Sequence, residues 1–351
     1  MVIVNYNTAA LLADCLTTLR DGGLEGLSAS IWVVDNASTD DSVDRVRRQF
    51  PEVHVIESHT NLGYAAANNL ALRAAGFQPT AVDQPRAGLK PTSDIPTRHT
   101  RDAQDAHDAQ DAHDARHALD AHDAHDAHYT LESRHARHAR HALLLNPDTL
   151  IPPGALAALV AALDAEPDVG VVGPKLVRPD GGLDLACRRS FPTPEVSFYR
   201  FSGLAKLFPR SRRFGRYNLT YLDPDQPADV DSVVGACMLV RGAAIDSVGL
   251  LDERFWMYGE DLDWALRIRQ AGWRVAYRPH VVVQHVKRAA SSGSRRANYE
   301  FQRAMWLFYQ KHYAARTPRL VHLAVLAGLA LRGGRRLGRE MWGGGRGEAP
   351  L

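Results

Sequence analysis

The chain has 351 residues, of which 45% are hydrophobic, and a formal net charge of +2. This composition can build a substantial core, and the near-neutral charge excludes a general electrostatic attraction to nucleic acid. The three cysteines, Cys15, Cys187 and Cys237, are far apart and form no CxxC pair, which excludes a disulfide framework and a cysteine zinc site. We see no secretion signal, and no apolar run approaches the length of roughly 20 residues that a membrane span needs. We therefore expect a cytoplasmic protein.

Strands and helices alternate along the first third of the chain. Apolar strands are predicted at residues 2–4, 31–34 and 53–56, and helices at 11–19, about 40–50 and 64–75. Continuous apolar strands separated by helices are typical of a parallel sheet that is covered on both faces. We therefore predict an α/β fold with a mostly parallel central sheet and helices on both faces.

From about residue 78 to residue 141 the sequence is of low complexity. Asp-Ala-His and Asp-Ala-Gln triplets recur, and ten of the sixteen histidines lie in this tract. Its His and Asp side chains are candidates for metal binding, but a three-residue period does not keep ligands on one helix face. Because apolar residues other than alanine are scarce, we favour a disordered insertion that buries no core.

Regular patterning resumes after the tract. We predict strands at 142–145, 169–172, 230–240, 274–277 and 281–283, helices at 154–163, 241–248, 260–270 and from 298 onward, and irregular structure at 188–216. Joining residue 76 to residue 143 would give an ordinary helix-to-strand connection. We therefore expect the 78–141 insertion to interrupt one catalytic domain at 1–290, with a helical, basic tail at 291–351.

Polar residues follow four successive predicted strands. They are Asn5 and Asn7, Asp35 and Asn36, Asn61 and Gly63, and Asn146 and Asp148. Each group alone is ordinary turn chemistry, but four in series at the carboxyl edge of an α/β sheet indicate a ligand site. No GxGxxG or GxxxxGK[ST] motif is present, so a diphosphate would need a hard cation, Mg²⁺ or Mn²⁺, for which Asp148 is well placed.

A second cluster lies at residues 255–264. Glu260, Asp261 and Asp263 open a predicted helix, where acids also serve as simple caps, but capping does not explain the preceding Trp256 and Tyr258. A carboxylate here is a candidate general base for an acceptor hydroxyl. Separately, His285 ends a predicted strand; it is either structural or a metal ligand, and the second role needs Asp148 nearby.

Five motifs occur in an order that resembles glycosyltransferase family 2, and within it the bacterial rhamnosyltransferase-like members. They are the segments Val4–Asn7, Val34–Asp40, Asn61–Asn69, Leu144–Asp148 and Gly259–Asp263. The resemblance implies a GT-A fold and an inverting single displacement on a nucleotide-sugar.

The resemblance also implies roles for individual residues. Asp35 would contact the donor base, and the rest of the nucleotide pocket would be formed by Asn5, Asn7, Asn36, Asn61, Gly63 and Asn146. Asp148 matches the metal-binding position, Asn146 stands where the family has its first Asp, and His285 would be a further metal ligand. Asp261, beside Glu260, matches the catalytic base, and we expect Trp256, Tyr258 and Asp263 on the acceptor side.

The substrates that the resemblance suggests are a sugar such as L-rhamnose from dTDP-rhamnose and a cell-envelope glycan or polyprenyl-diphosphate-linked acceptor. The segment 319–339 is apolar and basic. It is either a packing helix with a basic tail or an element that lies on an anionic membrane surface. The second alternative would place the protein at the inner face of the cell membrane. Two alternatives stay open: a sugar-phosphate nucleotidyltransferase, which releases pyrophosphate, and a catalytically inactive glycosyltransferase remnant.

Overall fold

The computed structural model describes residues 1–78, 139–286 and 295–342, in which nine strands form one sheet. The strands are β1 (Val2–Asn5), β2 (Trp32–Asn36), β3 (His54–Ser58), β4 (His141–Leu145), β5 (Thr149–Leu150), β6 (Val169–Val177), β7 (Ala228–Asp229), β8 (Cys237–Arg241) and β9 (Arg274–His285). Their spatial order is β3-β2-β1-β4-β8-β6-β9-β5, and β7 pairs with β9.

Ten α-helices cover the sheet and extend beyond it within the described residues. They are α1 (Ala9–Thr18), α2 (Ser42–Gln49), α3 (Tyr64–Ala74), α4 (Ala155–Ala165), α5 (Pro194–Phe201), α6 (Leu204–Leu207), α7 (Gly242–Val248), α8 (Glu260–Gln270), α9 (Arg295–His312) and α10 (Arg319–Trp342). Helix α10 is kinked at Gly334, whose φ is 76°.

The sheet is mostly parallel, as the strand–helix alternation predicts. Strands β3, β2, β1 and β4 run parallel, β8 runs against both β4 and β6, and β6 and β9 are again parallel. The central strands are buried apolar runs, such as Val2-Ile3 and Leu143-Leu144-Leu145, because helices cover both faces. The carboxyl ends of β1 to β4, β6 and β9 therefore meet at one edge.

The strands before and after the low-complexity tract belong to the same sheet. Val2 of β1 pairs with Leu144 of β4 in parallel register. His141 is the first residue of β4, so the insertion ends before that residue and not at it. The predictions of disorder and metal binding for the tract concern residues 79–138, which lie outside the described residues.

Three predicted segments differ from the structure. Residues 188–216, predicted as irregular, contain α5 and α6. Helix α5 begins there because Thr193 accepts a hydrogen bond from the Val196 N–H and Pro194 occupies the first turn. The long strand predicted at 230–240 is reduced to β8. The two strands predicted at 274–283 are one, β9, with a register shift against β6 between the pairs Pro174–Arg278 and Lys175–Val282.

The C-terminal helices pack against the rest of the described structure. Phe308 of α9 is fully buried, and Leu329 of α10 belongs to the same core. None of the helices in the described parts of the chain has the length and hydropathy of a membrane span. Cys15, Cys187 and Cys237 are free and buried, which agrees with the absence of a disulfide framework.

Candidate active site

Asn5 and Asp35, at the ends of adjacent strands, hold one another in place. The Asn5 Nδ2 donates to Asp35 Oδ1 at 2.9 Å and to Ser38 Oγ at 3.1 Å, and Asp35 Oδ2 accepts from the Ser38 N–H at 2.9 Å. Asn5 is fully buried and Asp35 is 4% exposed. Buried polar groups bonded in this way have few alternative conformations, so the loop after β2 is fixed against the loop after β1.

Asn7 braces the same loop from the β1 side. Its backbone N–H donates to Ser38 Oγ at 2.9 Å, and its side-chain oxygen accepts from the Thr39 N–H at 2.7 Å. Asn7 has a φ of 53°, in the left-handed region that asparagine tolerates better than most residues. Asn7 is exposed, so its amide can also meet a ligand at this edge.

Asn36 clamps the turn at Asn61–Gly63. Its amide nitrogen donates to Asn61 Oδ1 and to the Gly63 carbonyl, both at 3.1 Å, and its oxygen accepts from the Leu62 N–H at 2.8 Å. Gly63 has a φ of 83°, and a Cβ built there would lie 2.6 Å from Trp256 Cδ1. Only glycine fits at this position, because Trp256 packs directly on the turn and its carbonyl accepts from the Tyr64 N–H at 2.6 Å.

Asp148 and His285 meet at the carboxyl end of β9. Thr149 of β5 pairs with His285, and the Val286 N–H donates to the Asp148 carbonyl at 2.8 Å. This pairing sets the Asp148 Oδ1 to His285 Nε2 distance at 3.3 Å. On the other side, His285 Nδ1 lies 2.9 Å from Asp184 Oδ2, and Asp184 is 3% exposed. Asp148 is therefore near His285, as a metal-ligand role for that histidine requires.

The Asp148–His285 pair fits a divalent cation as a two-ligand site. Burial alone would lower the pKa of His285, but the two flanking carboxylates raise it to about 9, so this position favours positive charge. Without a cation the ring is therefore mostly protonated, and a metal ion at Nε2 would replace the proton there while the Nδ1–H stays bonded to Asp184, whose carboxylate would support a histidine ligand from behind. No three His, Cys, Asp or Glu side chains converge on a metal position within the described residues, so further ligands would come from the donor and water.

Asp261 is buried in a fixed position at the start of α8. Its Oδ2 accepts from Arg189 Nη2 at 2.6 Å and from the Gly235 N–H at 3.0 Å, and its Oδ1 accepts from the Leu262 N–H at 2.7 Å. A carboxylate offers about four acceptor positions. Among the described residues, one acceptor position on Oδ1 therefore remains without a partner.

Glu260 lies in a different environment from its neighbour. It is 6% exposed, and its Oε2 has no hydrogen-bond partner among the described residues. Burial, and then the charge of Asp261, raises the pKa of Glu260 to about 8. Glu260 is therefore mostly protonated at neutral pH, whereas Asp261 is ion-paired with a guanidinium.

Tyr64, which follows the Asn61–Gly63 turn, is linked to Asp261 through Gly235. Its hydroxyl donates to the Gly235 carbonyl at 3.0 Å, and the Gly235 N–H in turn donates to Asp261. Burial, followed by the charges of Glu260, Asp261 and Asp148, raises the pKa of Tyr64 well above its ordinary value. The carboxylates of Asp148, after β4, and of Glu260 and Asp261, in α8, are thus close enough to act on one side chain.

One predicted site residue, Asp263, lies away from this edge, and Tyr258 and Asn146 each contact other parts of the chain. Asp263 does not lie at this edge: it is fully buried, and its carboxylate bonds to Arg267, Lys311 and His312. The reason is helical geometry, since a residue two positions after Asp261 points to the other side of α8. Tyr258 packs edge-on against Phe301 of α9, at 5.8 Å between ring centroids. Asn146 is half-buried, with its N–H donating to the Ala236 carbonyl at 3.0 Å.

Arg189 and Asp184 were not found by sequence reasoning. Arg189 is 8% exposed, and Asp261 raises its pKa although burial alone would lower it. Both residues lie far in sequence from their partners, by 72 and 101 residues. The sequence near them offers only weak signals. Arg189 belongs to a pair of arginines before Phe191, and Asp184 follows the Gly181-Gly182 turn.

Two family models match the chain. The model described as Glycosyl transferase family 2 covers residues 1–77, and the model described as Glycosyltransferase like family 2 covers residues 93–306, more than half of the 351 residues. The chain belongs to glycosyltransferase family 2. Its function is therefore glycosyl transfer, and the fold is the mixed α/β fold of GT-A glycosyltransferases.

One curated relative and two solved structures are similar to this chain, and the two structures share its fold. The N-acetylglucosaminyl-diphospho-decaprenol L-rhamnosyltransferase of Mycobacterium tuberculosis is 25% identical over 264 residues, which are 75% of this chain and 68% of that protein. Staphylococcus aureus TarS 1-349 in complex with UDP-GlcNAc has a TM-score of 0.51 at 14% identity, covering 97% of this chain and 74% of that one. GalNAc-T7 with UDP, GalNAc and Mn²⁺ has a TM-score of 0.50 at 12% identity, covering 97% and 56%.

Proposed function

We propose that this glycosyltransferase moves a sugar from a nucleoside-diphosphate donor to the hydroxyl of a lipid-linked or cell-envelope glycan, with inversion at the anomeric carbon. One observation carries the proposal. The strand-end side chains of β1 to β4 and the Asp261 carboxylate occupy the same edge of the sheet, linked through Tyr64 and Gly235. Open α/β sheets bind their ligands at this edge.

The nucleotide is proposed to bind at the loops after β1, β2 and β3. Asp35 and Asn36 are held by Asn5 and by the Asn61–Gly63 turn, so their remaining polar atoms are preorganised for a base and ribose. Gly63 brings backbone close to the ligand position without a side chain. Preorganisation of this kind lowers the entropy cost of binding the donor.

Asp148 and His285 are proposed to hold Mg²⁺ or Mn²⁺, with Asn146 lining the donor beside them. The ion would supply Lewis-acid stabilisation of the charge that develops on the diphosphate leaving group. Asp184 orients His285, and β5 orients Asp148 through its pairing with β9. The two ligands are thus preset by strand pairing and need no large rearrangement.

Asp261 is proposed as the general base. Arg189 and the Gly235 N–H hold Oδ2, so Oδ1 is the oxygen that accepts the proton from the attacking hydroxyl. The hydroxyl oxygen then forms the new bond to the anomeric carbon as the bond to the diphosphate breaks. Glu260, mostly protonated, contributes no second negative charge to compete for that proton.

The donor sugar and acceptor are proposed from the similarity to the mycobacterial protein. That protein is named as a rhamnosyltransferase acting on N-acetylglucosaminyl-diphospho-decaprenol. We therefore propose L-rhamnose from dTDP-rhamnose as the donor, and a polyprenyl-diphosphate-linked glycan as the acceptor. Trp256 would line the acceptor side, because it adjoins the donor turn and lies four residues before Glu260.

The test is Asp261→Asn, which keeps the shape of the side chain. We expect donor binding, measured by calorimetry, to stay within about threefold of wild type, and transfer to fall by roughly 10²–10⁴-fold because the base is lost. Full transfer activity in the variant would contradict the role of Asp261. Loss of donor binding as well would indicate that Asp261 supports the pocket and not the proton transfer.

A further inference from the structure

Helix α10 presents an apolar stripe to solvent. Leu320, Leu323 and Leu331 are 83%, 60% and 85% exposed, and Ala324 and Ala327 are exposed as well. On a helix of 3.6 residues per turn these five positions fall within about 100° of one another. We call these five residues the outer stripe.

The opposite side of the same helix already packs on the protein. Leu329 is 7% exposed and belongs to the core, and His322 Nδ1 lies 2.8 Å from the Tyr309 hydroxyl of α9. A helix with one face packed on its own protein normally carries polar residues on the other face. The outer stripe breaks that rule, and a contiguous exposed apolar surface of this kind marks an interaction site.

Cationic side chains lie at both ends of the outer stripe. Arg319, Arg335 and Arg339 are exposed, and they form no hydrogen bond or ion pair with the described residues. The one acidic residue of the helix, Glu340, is bonded to Tyr299 and Arg303 of α9. The surface that faces away from the protein is therefore apolar and positively charged.

A second exposed apolar group adjoins α10. Phe198 of α5 and Leu207 of α6 are 61% and 69% exposed, and exposed Lys206, Arg210 and Arg212 accompany them. The guanidinium of Arg332 stacks on Phe201 of α5 at 4.4 Å, so α5 and α10 are neighbours. The combination of apolar and basic residues thus continues beyond one helix.

We propose that α10 docks on an anionic lipid bilayer, with the outer stripe in the headgroup region and Arg319, Arg335 and Arg339 against lipid phosphates. Charge complementarity favours this occupant over a second copy of the chain, whose matching surface would bring the same arginines together. A second copy would have to bury like charges against each other.

The docking helix is joined rigidly to the base-bearing helix. Lys311 and His312 of α9 both contact the Asp263 carboxylate of α8, at 2.7 Å in each case, and α9 holds α10 through Glu340. Docking therefore fixes the orientation of Asp261 relative to the bilayer. The delivery of a lipid-linked acceptor to Asp261 rests on the proposed function, whereas the docking itself does not.

The experiment is cosedimentation of the full chain with vesicles of phosphatidylcholine, with and without about a third phosphatidylglycerol. One variant replaces Leu320, Leu323 and Leu331 with Gln, and another replaces Arg319, Arg335 and Arg339 with Gln. A charge-matched control replaces Arg45, Arg47 and Arg48 of α2 with Gln. We expect wild type and control to bind the anionic vesicles, less so at high salt, and each α10 variant to bind at least about tenfold more weakly.

Equal vesicle binding by wild type and both α10 variants would overturn the proposal. So would a concentration-dependent dimer, seen by sedimentation, that the leucine variant abolishes, because a second copy would then cover the outer stripe. Transfer to a soluble acceptor separates the two proposals. If wild type binds vesicles but never transfers sugar, the proposed function fails and the docking stands.

Discussion

At the scale of single residues, the neighbours Glu260 and Asp261 show how environment divides two adjacent carboxyl groups. Asp261 is fixed by Arg189 and two backbone N–H groups, whereas Glu260 Oε2 has no partner among the described residues. Burial and the charge of Asp261 keep Glu260 protonated up to about pH 8. The negative charge is therefore concentrated on Asp261, where the proposed proton transfer needs it.

The protonation of Glu260 has a measurable effect on stability. The folded-state pKa is about 8, against 4.5 as the ordinary value, so between these values the folded chain keeps a proton that the unfolded chain releases. The free energy of unfolding contributed by this group is fully present below pH 4.5 and is lost as pH rises through about 8. Glu260→Gln should therefore flatten the decline of stability over this range, by up to about 1.4 kcal/mol per pH unit.

Urea unfolding of wild type and Glu260→Gln at several pH values between about 5 and 8 measures this difference. Glu25→Gln, at an exposed glutamate whose side chain forms no hydrogen bond or ion pair with the described residues, is the control and should follow wild type over this range. Parallel stability curves for wild type and Glu260→Gln would contradict a protonated Glu260.

Asp148→Asn tests the proposed metal ligand at the same scale. The variant keeps the size of the side chain but removes the charge that faces His285. We expect Mn²⁺ affinity in the presence of nucleoside diphosphate to fall by at least about tenfold, and donor turnover to fall by at least about 100-fold. Calorimetry and a nucleoside diphosphate release assay measure the two quantities.

The control for Asp148→Asn is Asp168→Asn. The Asp168 side chain is 61% exposed and lies just before β6, whereas Asp184 follows the other end of that strand. It should bind metal and turn over donor as wild type does. If Asp148→Asn also kept full metal-dependent turnover, the assignment of Asp148 would be wrong.

Sequence reasoning reached some of these residues and missed others for a physical reason. Asn5, Asp35, Asn36 and Asp148 directly end or follow apolar strands, so the topology of a parallel sheet places them together. Arg189 is different, because it reaches Asp261 from a segment without strand periodicity. Asp263 shares the acidic composition of the motif, but helix geometry turns it toward α9.

At the scale of elements, the Asn61–Gly63 turn of the proposed donor pocket leaves no room for a side chain at Gly63. Gly63→Ala would combine a left-handed φ of 83° with a Cβ 2.6 Å from Trp256 Cδ1. We expect a loss of roughly 1–3 kcal/mol of stability and weaker donor binding, because the turn must move away from Trp256 and from Asn36.

Gly26→Ala is the matched control for Gly63→Ala. Gly26 also has a positive φ, 74°, but nothing lies within 4 Å of its added Cβ, so the change carries only the backbone strain. Urea unfolding and donor calorimetry compare the two variants. Equal effects on stability and no effect on donor affinity would show that the Trp256 contact does not shape the pocket.

Most elements follow from periodicity, and the errors occur where tertiary contacts decide. Helix α8 was predicted with the bounds it has, Glu260 to Gln270, because three acids open it and apolar residues repeat at helical spacing. The long strand expected at 230–240 is broken because, after Val230 has bonded to β9, the residues that follow bond to Arg189 and Asp261 instead of to a neighbouring strand. The sequence predicts two strands, at 274–277 and 281–283, where the structure has the single strand β9, and Pro279 lies within its register shift against β6.

At the scale of the whole molecule, one sheet brings the side chains of the proposed nucleotide pocket, cation position and base to a single edge. We propose that residues 1–286 form one catalytic domain, interrupted after α3, because β1 and β4 pair directly. Helices α9 and α10 complete the described structure. Helix α9 contacts Asp263 of α8 through His312 and contacts α10 through the bond from Arg303 to Glu340.

The most direct test of the account is to identify the product released from a nucleotide-sugar. Wild-type protein is incubated with dTDP-rhamnose or other nucleotide-sugars, Mn²⁺ or Mg²⁺, and a polyprenyl-diphosphate-linked N-acetylglucosamine acceptor. The account predicts release of nucleoside diphosphate together with an acceptor extended by one sugar, both of which Asp261→Asn lacks. Pyrophosphate formed from a sugar phosphate and a nucleoside triphosphate, or no product with any donor, would contradict it.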